Sequence, residues 1–229
     1  MKQLMLIHGA IGSSDQLIPL KEILKDDFEI CLLEFSGHGN KASASDSYSL
    51  DSFSNQLGDA LDEIGVEVHI FGYSMGGFVA LWQAAQDAKN MASLTTLGTK
   101  MEWSEVIAQR EVQHLNPDVI REKVPKFAQA LEKRHGEHWQ EVLNRTATFM
   151  KELGKSQPIQ PSVMEKINIP VQLCLADNDV MVSFEETQRV QQWISGSTLE
   201  MLPNSKHPIE QVDLMALAST IRSFINRID

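Results

Sequence analysis

Short apolar runs of strand length alternate with longer segments of helical period, and this alternation constrains the fold more than any other feature of the chain. The runs fall at residues 4–7, 28–35, 68–71, 94–97, 171–176 and 198–202. A strand that is apolar on both faces must be covered on both, and a parallel neighbour is reached only through a long crossover. The pattern therefore predicts an α/β fold, a mostly parallel sheet of about six strands with helices on both faces. Leu214, Leu217, Ile221, Phe224 and Ile228 recur at three- and four-residue steps and predict a closing amphipathic helix.

Between Gly98 and Ile169 the alternation stops. About seventy residues follow with no convincing strand, so residues 103–162 read as a helical insertion in a core made of residues 1–102 and 163–229. One inserted helix has a legible start at Asn116-Pro117-Asp118, with a capping side chain, a proline suited to the first turn and an acid near the positive end of the dipole. Pro125 should break or kink it. The Ser/Ala-rich stretch 41–49 has a loop-like composition.

With 229 residues, 42% of them hydrophobic, the chain can bury one proper core. Its net charge of −11, with scattered basic residues, argues against nucleic acid and anionic membrane surfaces as partners. No leader-like segment and no apolar stretch of the ~18 residues needed for a membrane span is visible, so a soluble, cytoplasmic protein is expected. Cys31 and Cys174 each sit singly inside an apolar run and read as core thiols of a reducing compartment.

The residues that carry chemistry begin at Val68-His69-Ile70-Phe71-Gly72-Tyr73-Ser74-Met75-Gly76-Gly77, an apolar strand running through Gly-x-Ser-x-Gly into a helix-forming segment. That is the setting of a nucleophile elbow, in which a turn too tight for neighbouring side chains lifts Ser74 to the carboxyl edge of the sheet. At the first strand end, His8-Gly9-Ala10 supplies flexible backbone beside the expected serine. The N–H groups of Ala10 and Met75 are the candidate oxyanion donors, the second aided by the helix N-terminus.

A serine hydroxyl needs a base. Of seven histidines, His69 reads as a satisfied core residue, and His8 and His38 lie in glycine-rich loops where they would shape the site. His114, His135 and His138 fall in the insertion. His135 and His138, with Glu141 nearby, could approach a metal but read more naturally as a solvated helix face, so no metal or other cofactor is expected. His207, in a loop between the last strand and last helix, returns to the edge that carries Ser74. A carboxylate after the penultimate strand, Asp177 or Asp179, would orient it. The chain order Ser74, Asp179, His207 differs from that of the unrelated serine-protease folds.

Together His8-Gly9, Ser36-Gly37-His38-Gly39, the elbow, Ala176-Asp177-Asn178-Asp179 and His207 make the chain resemble the α/β-hydrolase superfamily, with a serine nucleophile. The resemblance implies a triad of Ser74, His207 and Asp179, favouring Asp179 by its small-x-x-Asp pattern, and makes residues 103–162 the family's helical cap over the site. It implies hydrolysis of a small-molecule ester or related acyl bond, with C–C bond cleavage or elimination by the same triad as the alternative. His8, Trp103 and Met181 are expected at the substrate pocket; Phe127, Trp139, Phe149 and Met150 could also line it but read individually as cap core. Arg110, Arg121 or Arg145 could compensate an anionic substrate. The usual N-terminal antiparallel hairpin is missing from the pattern, and Ala10 stands where many relatives carry a bulkier residue. A non-catalytic ligand-binding protein on the same fold, marked by an unreactive Ser74, is the reading from another class. A homodimer is left open.

Overall fold

A computed structural model describes residues 1–43 and 48–228. Residues 44–47, the centre of the Ser/Ala-rich stretch, and residue 229 lie outside the described residues. Six parallel strands form one sheet: β1 (Lys2–Ile7), β2 (Phe28–Leu33), β3 (Val68–Tyr73), β4 (Met91–Leu97), β5 (Val171–Ala176) and β6 (Thr198–Leu202), in the order β2-β1-β3-β4-β5-β6. Every pairing is parallel, and no antiparallel hairpin joins the described sheet.

Helices α1 (Ile18–Leu24) and α10 (Leu214–Ile228) cover one face, where Leu20, Leu24, Leu217 and Ile221 close over Leu4, Leu6 and Phe71. Helices α2 (Leu50–Ile64) and α3 (Met75–Gln86) cover the other, packing Phe53, Leu57 and Phe78 over Met5 and Ile70. The expected closing helix is α10, and its buried Leu217, Ile221 and Phe224 are the residues whose spacing announced it. His69 is buried with Nδ1 2.8 Å from Ser93 Oγ, a satisfied core residue.

Between β4 and β5 the chain is helical: α4 (Glu105–Val112), α5 (Pro117–Lys123), α6 (Pro125–His135), α7 (Trp139–Ser156) and the short α8 (Pro161–Met164). Asn116 caps α5, its Oδ1 accepting from the Asp118 and Val119 N–H groups, and Pro125 separates α5 from α6. α5, α6 and α7 share a small core of Ile120, Leu131, Trp139 and Leu143, joined by Leu115 from the turn before α5, while Phe149 and Leu153 of α7 pack into the main core. After β5, α9 (Phe184–Gln191) leads to β6. No helix among the described residues is long and apolar enough to cross a membrane.

Topology locates the crevice. From β1 the chain turns outward to β2, and from β3 it proceeds to the opposite side, so the sheet order reverses between β1 and β3. Open parallel sheets bind ligands at the carboxyl edge of such a switch point, where successive loops diverge and leave a gap. The register sets Ile7 opposite Gly72, Leu97 opposite Cys174 and Ala176 opposite Leu202, so the loops after β1, β3, β4, β5 and β6 leave the sheet along one rim.

Candidate active site

Ser74 stands between β3 and α3 with φ 51° and ψ −114°. A side-chain-bearing residue held at such angles costs on the order of 1–3 kcal/mol, and surrounding structure must impose it. Here the Ser74 N–H donates to Leu97 O at 2.8 Å and its carbonyl accepts from Thr99 Oγ1 at 3.2 Å, so both neighbouring peptide groups are pinned to β4 and its loop.

Gly9 lets the loop after β1 come close: a Cβ there would lie 2.9 Å from the Tyr73 ring and 3.1 Å from Ser74 Cβ. Ala10 is thereby set beside the serine. Its N–H has no acceptor among the described residues, and Met75, as first residue of α3, has no intrahelical acceptor for its own.

His207 is buried, with Nδ1 2.8 Å from Asp179 Oδ2. A carboxylate only accepts, so Nδ1 carries the proton and Nε2 is left as the basic nitrogen. Burial pushes the Asp179 carboxyl up, but the hydrogen bond and charge of His207 and the N–H groups of Val182 and Met181 outweigh it, leaving it below its ordinary value. Asp177 does different work. Its carboxylate accepts from the Asn204 and Ser205 N–H groups, organising the loop that delivers His207, and those bonds hold its carboxyl below the ordinary value.

Two supporting residues escaped the sequence reading. Tyr73 donates its hydroxyl to His207 O at 2.9 Å, tying the elbow to the histidine loop. Gly98, at the end of β4 with φ 58°, lies beneath the pair: a Cβ there would meet Asp179 Oδ2 at 3.2 Å and the His207 ring at 3.3 Å. A glycine ending a strand next to the elbow strand was the available signal for the second.

A narrow cavity of about 60 Å³ is lined by Ala10, Ser74, Met75, His207, Trp103 and Met181, with Phe78, Phe149, Met150 and Leu153 completing an apolar wall. The charged lining residues, Lys100 and Glu111, face one another at 3.8 Å and are largely buried. Trp103, Phe149 and Met150 thus reach the cavity, while Trp139 belongs to the insertion's own core and Phe127 is 38% exposed.

Three expectations need correction. His8 is not at the pocket wall: it is fully buried, donating from Nδ1 to Gly9 O (2.8 Å) and accepting at Nε2 from the Phe35 N–H (3.1 Å), which braces the loop from below. Burial lowers its pKa to about 4. His135 is not on a solvated face either. It is 2% exposed and spends both ring nitrogens on backbone groups. Finally, Arg110 pairs with Glu111, Arg121 lies over the Trp139 ring and Arg145 bonds Glu141; none lines the cavity.

Residues 2–143 match the family model described as the alpha/beta hydrolase fold. Over 87 residues the chain is 30% identical to a 2-succinyl-6-hydroxy-2,4-cyclohexadiene-1-carboxylate synthase from Yersinia enterocolitica, a match covering 38% of this chain and spanning only 31% of that relative's length. It is 23% identical over 230 residues to Lipase 3 of Moraxella sp. (strain TA144), covering 89% of this chain and 71% of the lipase. Among solved structures, a thermophilic esterase from Thermogutta terrifontis superposes with a TM-score of 0.80 at 16% identity, over 100% of this chain and 90% of the esterase.

Proposed function

This chain belongs to the α/β hydrolase fold family, and from that premise we propose that it is a serine-dependent hydrolase of small-molecule esters or related acyl compounds. The observation that carries the reading is the His207–Asp179 hydrogen bond at the same cavity that exposes a strained Ser74. Attack by Ser74 Oγ on the carbonyl carbon passes the hydroxyl proton to His207 Nε2, and the imidazolium so formed is stabilised by Asp179. The negative charge moves onto the carbonyl oxygen, where the Ala10 and Met75 N–H groups receive it. His207 gives the proton to the departing alcohol, then takes one from the water that attacks the acyl carbon and passes it to Ser74 Oγ as the acyl bond breaks, freeing the acid and restoring the serine.

Size and polarity narrow the substrate. A cavity of about 60 Å³ has room for roughly two waters, which suits a short acyl group. Its charged lining residues already face one another, and Arg110, Arg121 and Arg145 of the insertion are engaged elsewhere. A neutral small ester is the favoured substrate. Cleavage of a C–C bond or elimination by the same groups is the second reading, supported by the partial likeness to the Yersinia synthase.

The test is turnover of p-nitrophenyl acetate and decanoate together with covalent labelling by a fluorophosphonate, on the wild type, Ser74→Ala and His207→Ala. The expected result is acetate preferred over decanoate, labelling at Ser74, and both activities lost in each variant. Labelling without any ester turnover would favour the second reading, and absence of both would overturn the assignment of Ser74 as nucleophile.

A further inference from the structure

The loop that carries Ala10 is braced on two sides. On the near side, Gly9 O accepts from His8 Nδ1 at 2.8 Å and from the Gly12 N–H at 3.1 Å. On the far side stands Ile11, a β-branched residue with φ 51°, a backbone conformation that such side chains adopt only under constraint. The constraint comes from the inserted helices. Ile11 O accepts from His135 Nε2 at 2.9 Å and from Arg134 Nη1 at 3.1 Å, while the Ile11 side chain packs on the small core of Leu131, Trp139 and their neighbours.

The last turn of α6 reaches further. His135 Nδ1 accepts from the Gly39 N–H at 2.9 Å, anchoring the turn to the loop after β2. Arg134 Nη2 lies 3.3 Å from Glu210 Oε1, three residues past His207. Because Gly39 N–H can only donate, His135 is a neutral imidazole with its proton on Nε2, aimed at Ile11 O. One helix end thus grips the loops on both sides of the crevice.

We propose that His135 is a positioning residue: by holding Ile11 O from the inserted helices, it keeps Ala10 in place as an oxyanion donor, so that the donor is assembled only while those helices are seated. This rests on the hydrolase reading of Ala10. An oxyanion donor acts only when it is in place before charge develops, so a misplaced one costs rate at the chemical step more than substrate binding.

Two conservative variants separate the contacts. In His135→Gln the side-chain amide nitrogen falls where Nε2 was and can still donate to Ile11 O. In His135→Asn the shorter amide overlays Nδ1, so it can serve Gly39 but not Ile11. The measurements are kcat and KM with p-nitrophenyl acetate, melting temperature, and amide hydrogen exchange of the peptide spanning residues 9–13.

For Asn we expect kcat to fall about 10- to 100-fold with KM changed less than about threefold, and exchange at 9–13 to rise about tenfold or more. For Gln we expect both to stay within about threefold of wild type. Unchanged exchange at 9–13 in the Asn variant overturns the proposal, as does a parallel loss in both variants that tracks melting temperature. If the wild type neither labels nor turns over, the hydrolase reading fails by itself, and the exchange comparison still decides whether His135 holds the loop.

Discussion

Replacing Gly98 by alanine would test how tightly the His207–Asp179 pair is seated. Two costs are separable. The first is backbone: at φ 58° an L-residue pays roughly 1–2 kcal/mol for the left-handed conformation, which in a chain of this size lowers Tm by about 2–8 °C. The second is local: the new Cβ would sit 3.2 Å from Asp179 Oδ2 and 3.3 Å from His207 Cε1 and Nδ1, closer than ordinary van der Waals contact, so the pair must yield by a few tenths of an ångström. A misplacement of ~1 Å can cost about 100-fold in rate, so a smaller one should lower kcat by about tenfold. Gly65→Ala is the matched control. Gly65 is also left-handed, with φ 70° and ψ 11° at the end of α2, but its Cβ would meet nothing nearer than Asp62 O at 3.8 Å. Stopped-flow or plate-reader kinetics with p-nitrophenyl acetate and thermal melts on both variants suffice. The expected outcome is a similar fall in Tm for the two with kcat lost only in Gly98→Ala. Equal kcat in both would refute the claim that Gly98 seats the pair.

Three other expectations follow from the same geometry. Asp179→Asn should lower kcat by about 10⁴ because the amide no longer enforces the Nδ1–H tautomer of His207, whereas Asp177→Asn should lose far less rate and mainly loosen the loop 203–207, read as faster hydrogen exchange there; similar kinetic losses would reverse the two assignments. Stability should fall on acidification: burial holds His8 and His135 near pKa 4 against 6.5 in the unfolded chain, so the unfolded state gains protons first, and the stability present above pH 6.5 is lost as pH drops toward 4. At pH 5 these two should cost about 4 kcal/mol relative to pH 7.5, on top of the share from His38, whose pKa burial also lowers; urea unfolding measures the loss, and His135→Gln should remove about 2 kcal/mol of it, while a flat profile over this range would contradict their buried neutral state. Thr146 lines the cavity with a buried hydroxyl that has no hydrogen-bond partner among the described residues, so Thr146→Val should raise stability by about 1 kcal/mol without harming turnover of p-nitrophenyl acetate, and a lower Tm would show that the hydroxyl is satisfied after all.

Some of this protein is determined by local physics and can be read along the chain. Six strands show because runs such as residues 4–7 are apolar at every position and buried on both faces, and α10 shows because one face of it meets the core every three or four residues. Ser74 and its flanking glycines are legible for the same reason: a tight strand-to-helix turn dictates its own residue types over a few positions. Asn116 and Pro125 likewise act on the backbone within their own turn. What the tertiary structure alone decided involves partners far apart in sequence. Asp177 and Asp179 are two residues apart and chemically identical, and only the path of the 203–207 loop makes one a backbone anchor and the other the partner of His207. His8 sits next to Gly9 and yet faces inward, because the Phe35 N–H after β2 needs an acceptor. In sequence His135 looks like a surface residue because Glu132, Lys133 and Arg134 precede it on α6, and its burial comes from Ile11 and Gly39, 124 and 96 residues away along the chain. Periodicity reports how an element meets the core in general. Which side chain meets which loop depends on how helices and loops are docked, and no local pattern encodes that.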